Sequence, residues 1–145
     1  MSLTQGRCLC GAVEFKFSTD ALLAYQCHCS LCRKATGSAF TTTLIALESG
    51  FVWSCGEDKV SSYSRESGYK IQFCSCCGSP VPNKFRAYPL FSVPVGTLEG
   101  LPDIKVVFQL HLGSRATWDK DHFEGHQFVE MLTINEMLKF LHMHI

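Results

Sequence analysis

All but one of the nine cysteines in this chain fall into three tight clusters: Cys8-Leu9-Cys10, Cys27-His28-Cys29-Ser30-Leu31-Cys32, and Cys74-Ser75-Cys76-Cys77-Gly78. A C-x-C, a C-x-C-x-x-C and a C-x-x-C followed by glycine are spacings that let several thiolates turn onto one tetrahedral ion. Taking Cys74 and Cys77 from the last cluster gives seven ligands, enough for one four-thiolate site and one three-thiolate site. A zinc with an open fourth position is how a catalytic site differs from a structural one.

The competing use of so many cysteines is a disulfide framework. The start, Met1-Ser2-Leu3-Thr4-Gln5-Gly6-Arg7, has no apolar h-region or small-residue cleavage site, so the expected location is the cytoplasm, where thiols stay reduced. With 145 residues and 46% hydrophobic content, the chain can also bury a core of its own, unlike small secreted domains that depend on disulfides. A single zinc-binding domain over residues 1–145 is expected, and no apolar run approaches the length of a membrane span. The formal charge is zero with neutral thiols, and seven thiolates set against the four positive charges of two Zn²⁺ take it to −3. Lys and Arg are scattered, so the excess positive charge that drives nucleic-acid binding is missing and a DNA-binding zinc ribbon is not expected.

Most of the chain reads as short strands separated by turns. Ala12 to Phe17 alternates with period two, as a half-buried strand does. Phe40–Leu47, Phe51–Trp53, Lys70–Phe73, Phe91–Val95 and Lys105–Leu112 are further β-prone runs. Two helices are expected: a short turn over Ser30–Ala35 carrying Cys32, and a terminal helix over about 133–144 opened by the capping box Thr133-Ile134-Asn135-Glu136. Ile134, Met137, Leu138, Leu141 and Ile145 give that helix one apolar face, while His142 and His144 near its end are read as surface residues.

Chemistry suggests how the clusters pair. C-x-x-C-G after a strand makes a knuckle, because the glycine permits a tight turn that aims two thiolates the same way. Such a half-site needs a second pair, and Cys8 with Cys10 supplies one, so Cys8, Cys10, Cys74 and Cys77 are assigned to a structural zinc. Cys27, Cys29 and Cys32 lie within six residues and can face one point from a single loop. Three local ligands leave a vacancy.

The stretches Gly6–Val13, Cys27–Phe40 and Phe73–Ser79 resemble the glutathione-dependent formaldehyde-activating enzyme family, which also includes centromere protein V. Fainter echoes run through Trp53–Glu57, Val95–Glu99 and His111–Trp118, so the resemblance covers about residues 6–128. It implies a mainly β fold, a β-tent of short-stranded antiparallel sheets knit by zinc, with a structural ion on the first and third clusters and a catalytic one on the middle cluster. Two stretches depart from the family's pattern: Phe123-Glu124-Gly125-His126 stands where an Asp-Gly-Leu-Pro-like segment is expected, and Ser114-Arg115 replaces a Ser-Lys pair. The terminal helix lies outside the pattern.

Three cysteinates donate so much charge that activating water is not the natural role of their zinc. Taking up an exogenous thiol is, since zinc is borderline-soft and a coordinated thiol loses its proton. For the family this implies a carbon–sulfur lyase reaction, glutathione adding to formaldehyde to give S-hydroxymethylglutathione. The implied partners are a small-molecule thiol such as glutathione and an aldehyde, with no nucleic acid or membrane; the cofactors are two Zn²⁺ per chain. Arg33 and Lys34, immediately after the last ligand, are the best-placed contacts for glutathione's carboxylates, with Arg86 and Arg115 more distant. His28 is read as either a support for the ligand loop or a surface residue, and His111 as an ordinary hydrogen-bonded sheet histidine. Cys55 and Cys76 remain unassigned. The alternative is a non-catalytic zinc-stabilised binding module, in which Cys55 or a histidine closes the second site.

Overall fold

The computed structural model describes residues 2–85, 87–100, 102–120 and 122–145 and is mainly β. The strands up to the third cysteine cluster are β1 (Ser2–Arg7), β2 (Glu14–Thr19), β3 (Leu23–Cys27), β4 (Thr41–Leu47), β5 (Phe51–Cys55), β6 (Val60–Ser64) and β7 (Lys70–Cys74). They are followed by β8 (Asn83–Lys84), β9 (Leu90–Pro94), β10 (Lys105–Leu110) and β11 (His126–Gln127). Helix α1 (Ser30–Thr36) follows β3, and α2 (Ile134–Phe140) follows β11. The chain forms two units, one of Met1–Asp20 with Leu44–Asp103, the other of Ala21–Thr43 with Ile104–Ile145.

In the first unit the period-two pattern predicted around Phe15 appears in β2, where Phe15 and Phe17 are buried and Lys16 is exposed. Strands β1 and β5 flank β2, both antiparallel to it. Phe15 and Phe51 stack with ring centroids 5.9 Å apart, and Phe51 lies 3.9 Å from Phe91 of β9. Fully burying each such side chain contributes about 1.5–3 kcal/mol. A second antiparallel pair, β6 with β7, runs in the register Val60↔Cys74, so Cys74 arrives at the end of a paired strand. Strand β8 pairs antiparallel with β9.

The second unit adds an arrangement that the expectation of antiparallel sheets did not contain. Strand β10 lies parallel to β3 on one side and to β11 on the other. Parallel neighbours require a long crossover, and here the chain between Cys27 and Lys105 passes through α1, β4 and the whole 44–103 segment of the first unit. Phe108 and Leu110 are fully buried, as suits a strand paired on both edges, and Tyr25 stacks on Phe108 at 5.1 Å. Side-chain amides pin the register: Gln127 Nε2 donates to Gln109 Oε1 at 3.2 Å, and Gln109 Nε2 to Gln26 Oε1 at 2.8 Å.

Helix α2 begins where the capping box places it. Glu136 N–H donates to Thr133 Oγ1 at 3.2 Å, and Thr133 N–H donates to Glu136 Oε2 at 2.9 Å. These hydrogen bonds hold the Glu136 carboxyl below its ordinary range. The cap's contribution is therefore complete above the ordinary carboxylate pKa and is lost as pH falls through the lowered value. Replacing Thr133 by alanine should cost about 1 kcal/mol at neutral pH, read as a lowered urea midpoint with an unchanged slope. Met137, Leu138 and Leu141 are buried, as the apolar face requires. The helix stops at Phe140, short of the expected 144, because His142 turns left-handed at φ 56 and Met143 N–H closes back on Leu138 C=O at 2.9 Å. Ile145, beyond that stop, is exposed, as are His142 and His144. Among the described residues no helix is long and apolar enough to cross a membrane.

Candidate metal centres

Each unit holds one group of sulfurs. In the first, Sγ of Cys8, Cys10, Cys74 and Cys77 all lie within 4.8 Å of one another. Two tight turns deliver them. Gly11, at φ 81, follows Cys10 and donates its N–H to Cys8 C=O at 3.1 Å; Gly78, at φ 77, follows Cys77 and donates to Cys74 C=O at 2.8 Å. Both glycines occupy the left-handed region that a side chain would strain. Leu9 N–H donates to Ser79 Oγ at 2.9 Å, clamping one turn to the other. Backbone N–H groups also point at the sulfurs, Val13 N to Cys8 Sγ at 3.3 Å and Cys76 N to Cys74 Sγ at 3.4 Å. Cys76 lends the group its amide; its exposed thiol is not among the four.

These sulfurs fit a zinc ion. Tetrahedral thiolates at the usual Zn–S length stand about 3.8 Å apart, and Cys8 Sγ lies 3.7 Å from Cys10 Sγ, which lies 3.9 Å from Cys74 Sγ. Hydrogen bonds from the Ser79 hydroxyl and N–H hold the Cys77 thiol down to about 5, which favours the thiolate that a metal needs. Cys8 and Cys74 are buried with Val13 and Val81, while Cys10 is exposed and Cys77 half-buried, so one side of the group is packed and the other faces solvent.

In the second unit, Sγ of Cys27, Cys29 and Cys32 lie within 4.8 Å of one another, and no fourth His, Cys, Asp or Glu donor among the described residues joins them. Cys27 ends β3 opposite Leu110, and His28 N–H extends that pairing to Leu110 C=O at 3.0 Å. Cys29 is the N-cap of α1, where its Sγ accepts the N–H of Cys32 at 3.3 Å. A strand end and a helix start thus aim three sulfurs at one point. The hydrogen bond from the Cys32 thiol lowers Cys27 to about 6, and the same bond, with burial, raises Cys32. This donor set also fits a soft cation, with a position left over.

The other residues singled out from sequence fall out differently. Arg33 and Lys34 both lie on α1 after Cys32; Arg33 is half-buried and its Nε has no hydrogen-bond partner, while Lys34 is exposed. Arg115 Nε sits 3.2 Å from Asp119 Oδ2, and Arg86 lies outside the described residues. His28 is not at the surface: its imidazole is fully buried, 4.9 Å from the Phe40 ring between centroids. Burial lowers its pKa, against the opposing pull of Asp119. Nor is His111 a sheet histidine. Strand β10 ends at Leu110, and His111 takes φ 57 and ψ 40 at the start of a single turn of 3₁₀ helix. Asp119, buried beside His28, was not picked out from the sequence; its only signal there is the four-residue spacing from Arg115.

A sequence model described as glutathione-dependent formaldehyde-activating enzyme matches residues 3–128, which take in all seven grouped cysteines and segments of both units. The chain belongs to this family. Helix α2, starting at Ile134, lies beyond the matched residues. A crystal structure of a Rhodobacter sphaeroides protein is also similar, with 26% identity and a TM-score of 0.57 over 71% of this chain and 99% of that one. None of the curated proteins matches the chain. For this member of the formaldehyde-activating family we expect close to two zinc ions per chain by metal analysis. The ion on Cys27, Cys29 and Cys32 should be the first lost to a chelator, since three protein ligands hold less tightly than four. A single ion that added zinc cannot increase would break the division into two sites.

Proposed function

We propose that the chain acts as one zinc-dependent domain, a carbon–sulfur lyase of the S-(hydroxymethyl)glutathione synthase type. In this reading Cys8, Cys10, Cys74 and Cys77 hold a structural zinc, and Cys27, Cys29 and Cys32 hold a catalytic one. The observation that carries it is the second thiol group, complete at three protein donors among the described residues. Zinc in a soft, thiolate-rich set supplies deprotonation of an incoming thiol at neutral pH.

The chain's own residues set direction and order. Cys29, capping α1, and Cys27, ending β3, fix where an incoming sulfur can approach, which converts an encounter of two small molecules into a positioned one. Arg33, one residue past Cys32, keeps a buried Nε–H without a partner, and a carboxylate of glutathione would satisfy it. Lys34 adds an exposed cation from the same helix. In the reaction the glutathione sulfur forms a bond to the formaldehyde carbon, the carbonyl π electrons move to oxygen, and the thiol proton ends on that oxygen. The reverse breaks the same carbon–sulfur bond.

Cobalt in place of zinc provides the test. Its thiolate-to-metal absorption should change when glutathione is added to the intact protein and should respond less when Arg33 is replaced by methionine. If glutathione leaves the spectrum unchanged and the second site proves saturated by protein ligands, the domain is a zinc-stabilised binding module instead.

A further inference from the structure

Behind the three-cysteine loop lies a buried polar chain that the proposed reaction does not use. Cys27 closes a strand and Cys29 is extended at φ −64 and ψ 157, so the side chain between them leaves the opposite face from the two thiols. That side chain is His28. Its ring is wholly buried against Phe40, with Nδ1 3.4 Å from Asp119 Oδ2. The Asp119 side chain is only 5% exposed, and the same oxygen accepts Arg115 Nε–H at 3.2 Å. Neither ring nitrogen of His28 makes a well-aligned hydrogen bond, which leaves the Asp119 carboxylate as the polar group facing Nδ1.

A carboxylate out of water is costly unless it is paired, and an apolar residue would fill the same space at no such cost. The arrangement makes sense if it aims something. Packing on Phe40 fixes where the His28 ring lies, and the Asp119 carboxylate 3.4 Å from Nδ1 favours one turn of the ring through its charge; because His28 is covalently between Cys27 and Cys29, holding it holds the backbone from which both sulfurs project. We propose that Asp119, held by Arg115, is a positioning residue that acts through His28 to set the geometry and tightness of the Cys27–Cys29–Cys32 metal site. This rests on the reading of those thiols as a zinc site. Contacts one shell out from a metal are commonly worth about 10–100-fold in affinity.

The test uses the full chain loaded with cadmium-113, which should show two resonances, one for each thiol group. In Asp119→Asn, which keeps the volume and removes the charge, the three-thiol resonance should shift and zinc at that site should bind about 10–100-fold more weakly by chelator competition. The four-thiol resonance should stay in place. A residue that merely stabilised the fold would lower the melting temperature and move neither reading well below it. A folded Asp119→Asn with an unmoved three-thiol resonance and wild-type zinc affinity overturns the proposal. If wild-type protein takes up a single ion, the zinc reading of the second site falls and the proposal falls with it. Should Asp119→Asn not fold, Arg115→Gln decides: a several-fold weaker three-thiol site supports the proposal, and an unchanged one overturns it.

Discussion

Cys8→Ser should unfold the first unit or leave it barely stable, while Cys29→Ser should leave a folded protein. Structural zinc sites in small domains carry about 10–16 kcal/mol of apparent binding free energy, comparable to the whole stability of a typical domain. Loss of one ligand in four forfeits a large part of that. At roughly 3–5 °C per kcal/mol for a chain of this size, a loss of about 5 kcal/mol lowers the melting temperature by about 15–25 °C. Position adds to the effect: Cys8 is 2% exposed and packs with Val13, Cys74 and Val81, where a serine hydroxyl would meet no water. Cys77→Ser should act in the same direction, since the same turns are tied through Ser79. Cys29 sits in a different environment, half-buried at the start of a seven-residue helix, and a serine there can still cap α1. Thermal melts paired with metal analysis check this. Equal loss of structure in all three variants would sink the division of labour between the two groups.

The second large effect is on chemistry. With glutathione and formaldehyde present, the wild-type protein should speed exchange between free thiol and hemithioacetal, and Cys29→Ser should lose about 10–100-fold or more of that acceleration, since even contacts one shell out from a metal are worth that much and Cys29 is a ligand itself. Two-dimensional exchange NMR measures both rates at equilibrium. The contrast with Cys8→Ser separates the two sites, because Cys29→Ser loses rate at nearly unchanged melting temperature. If the wild-type protein binds glutathione without faster exchange, another carbonyl compound or a binding role replaces the proposed reaction.

What could be read from the sequence was what neighbours along the chain decide. The alternation around Phe15 and Phe17, the Cys74–Cys77–Gly78 turn and the Thr133–Glu136 cap depend on residues within a few positions, and each appears in the structure. The grouping of Cys8 and Cys10 with Cys74 and Cys77 was also legible, although the pairs are 64 residues apart, because thiols with metal spacing have few other uses. Partners distant in sequence decide the rest. Strand β3, five residues of mixed polarity, gains its place from β10, and β1 is a mostly polar edge paired to β2. His28 is buried because Phe40 and Asp119 close over it, and His111 leaves the sheet because its N–H pairs with Glu130 C=O at 3.4 Å rather than with a neighbouring strand. Asp119 stood among exposed residues such as Trp118 and Lys120, with nothing local to mark it.

The long crossover between β3 and β10 bears on how the protein is made. On a ribosome, the four cysteines of the first unit are all available once Gly78 has emerged, but the pairing of β3 with β10 must wait for Lys105–Leu110. At about 5–20 residues per second, the stretch from Cys27 to Lys105 takes roughly 4–16 s to appear. Throughout that interval Cys27, Cys29 and Cys32 sit beside a strand that lacks its β10 neighbour, and Asp119 does not yet exist. The nascent chain therefore has all four cysteines of the first group well before the segments that shape the second, and Cys27, Cys29 and Cys32 wait longest for theirs.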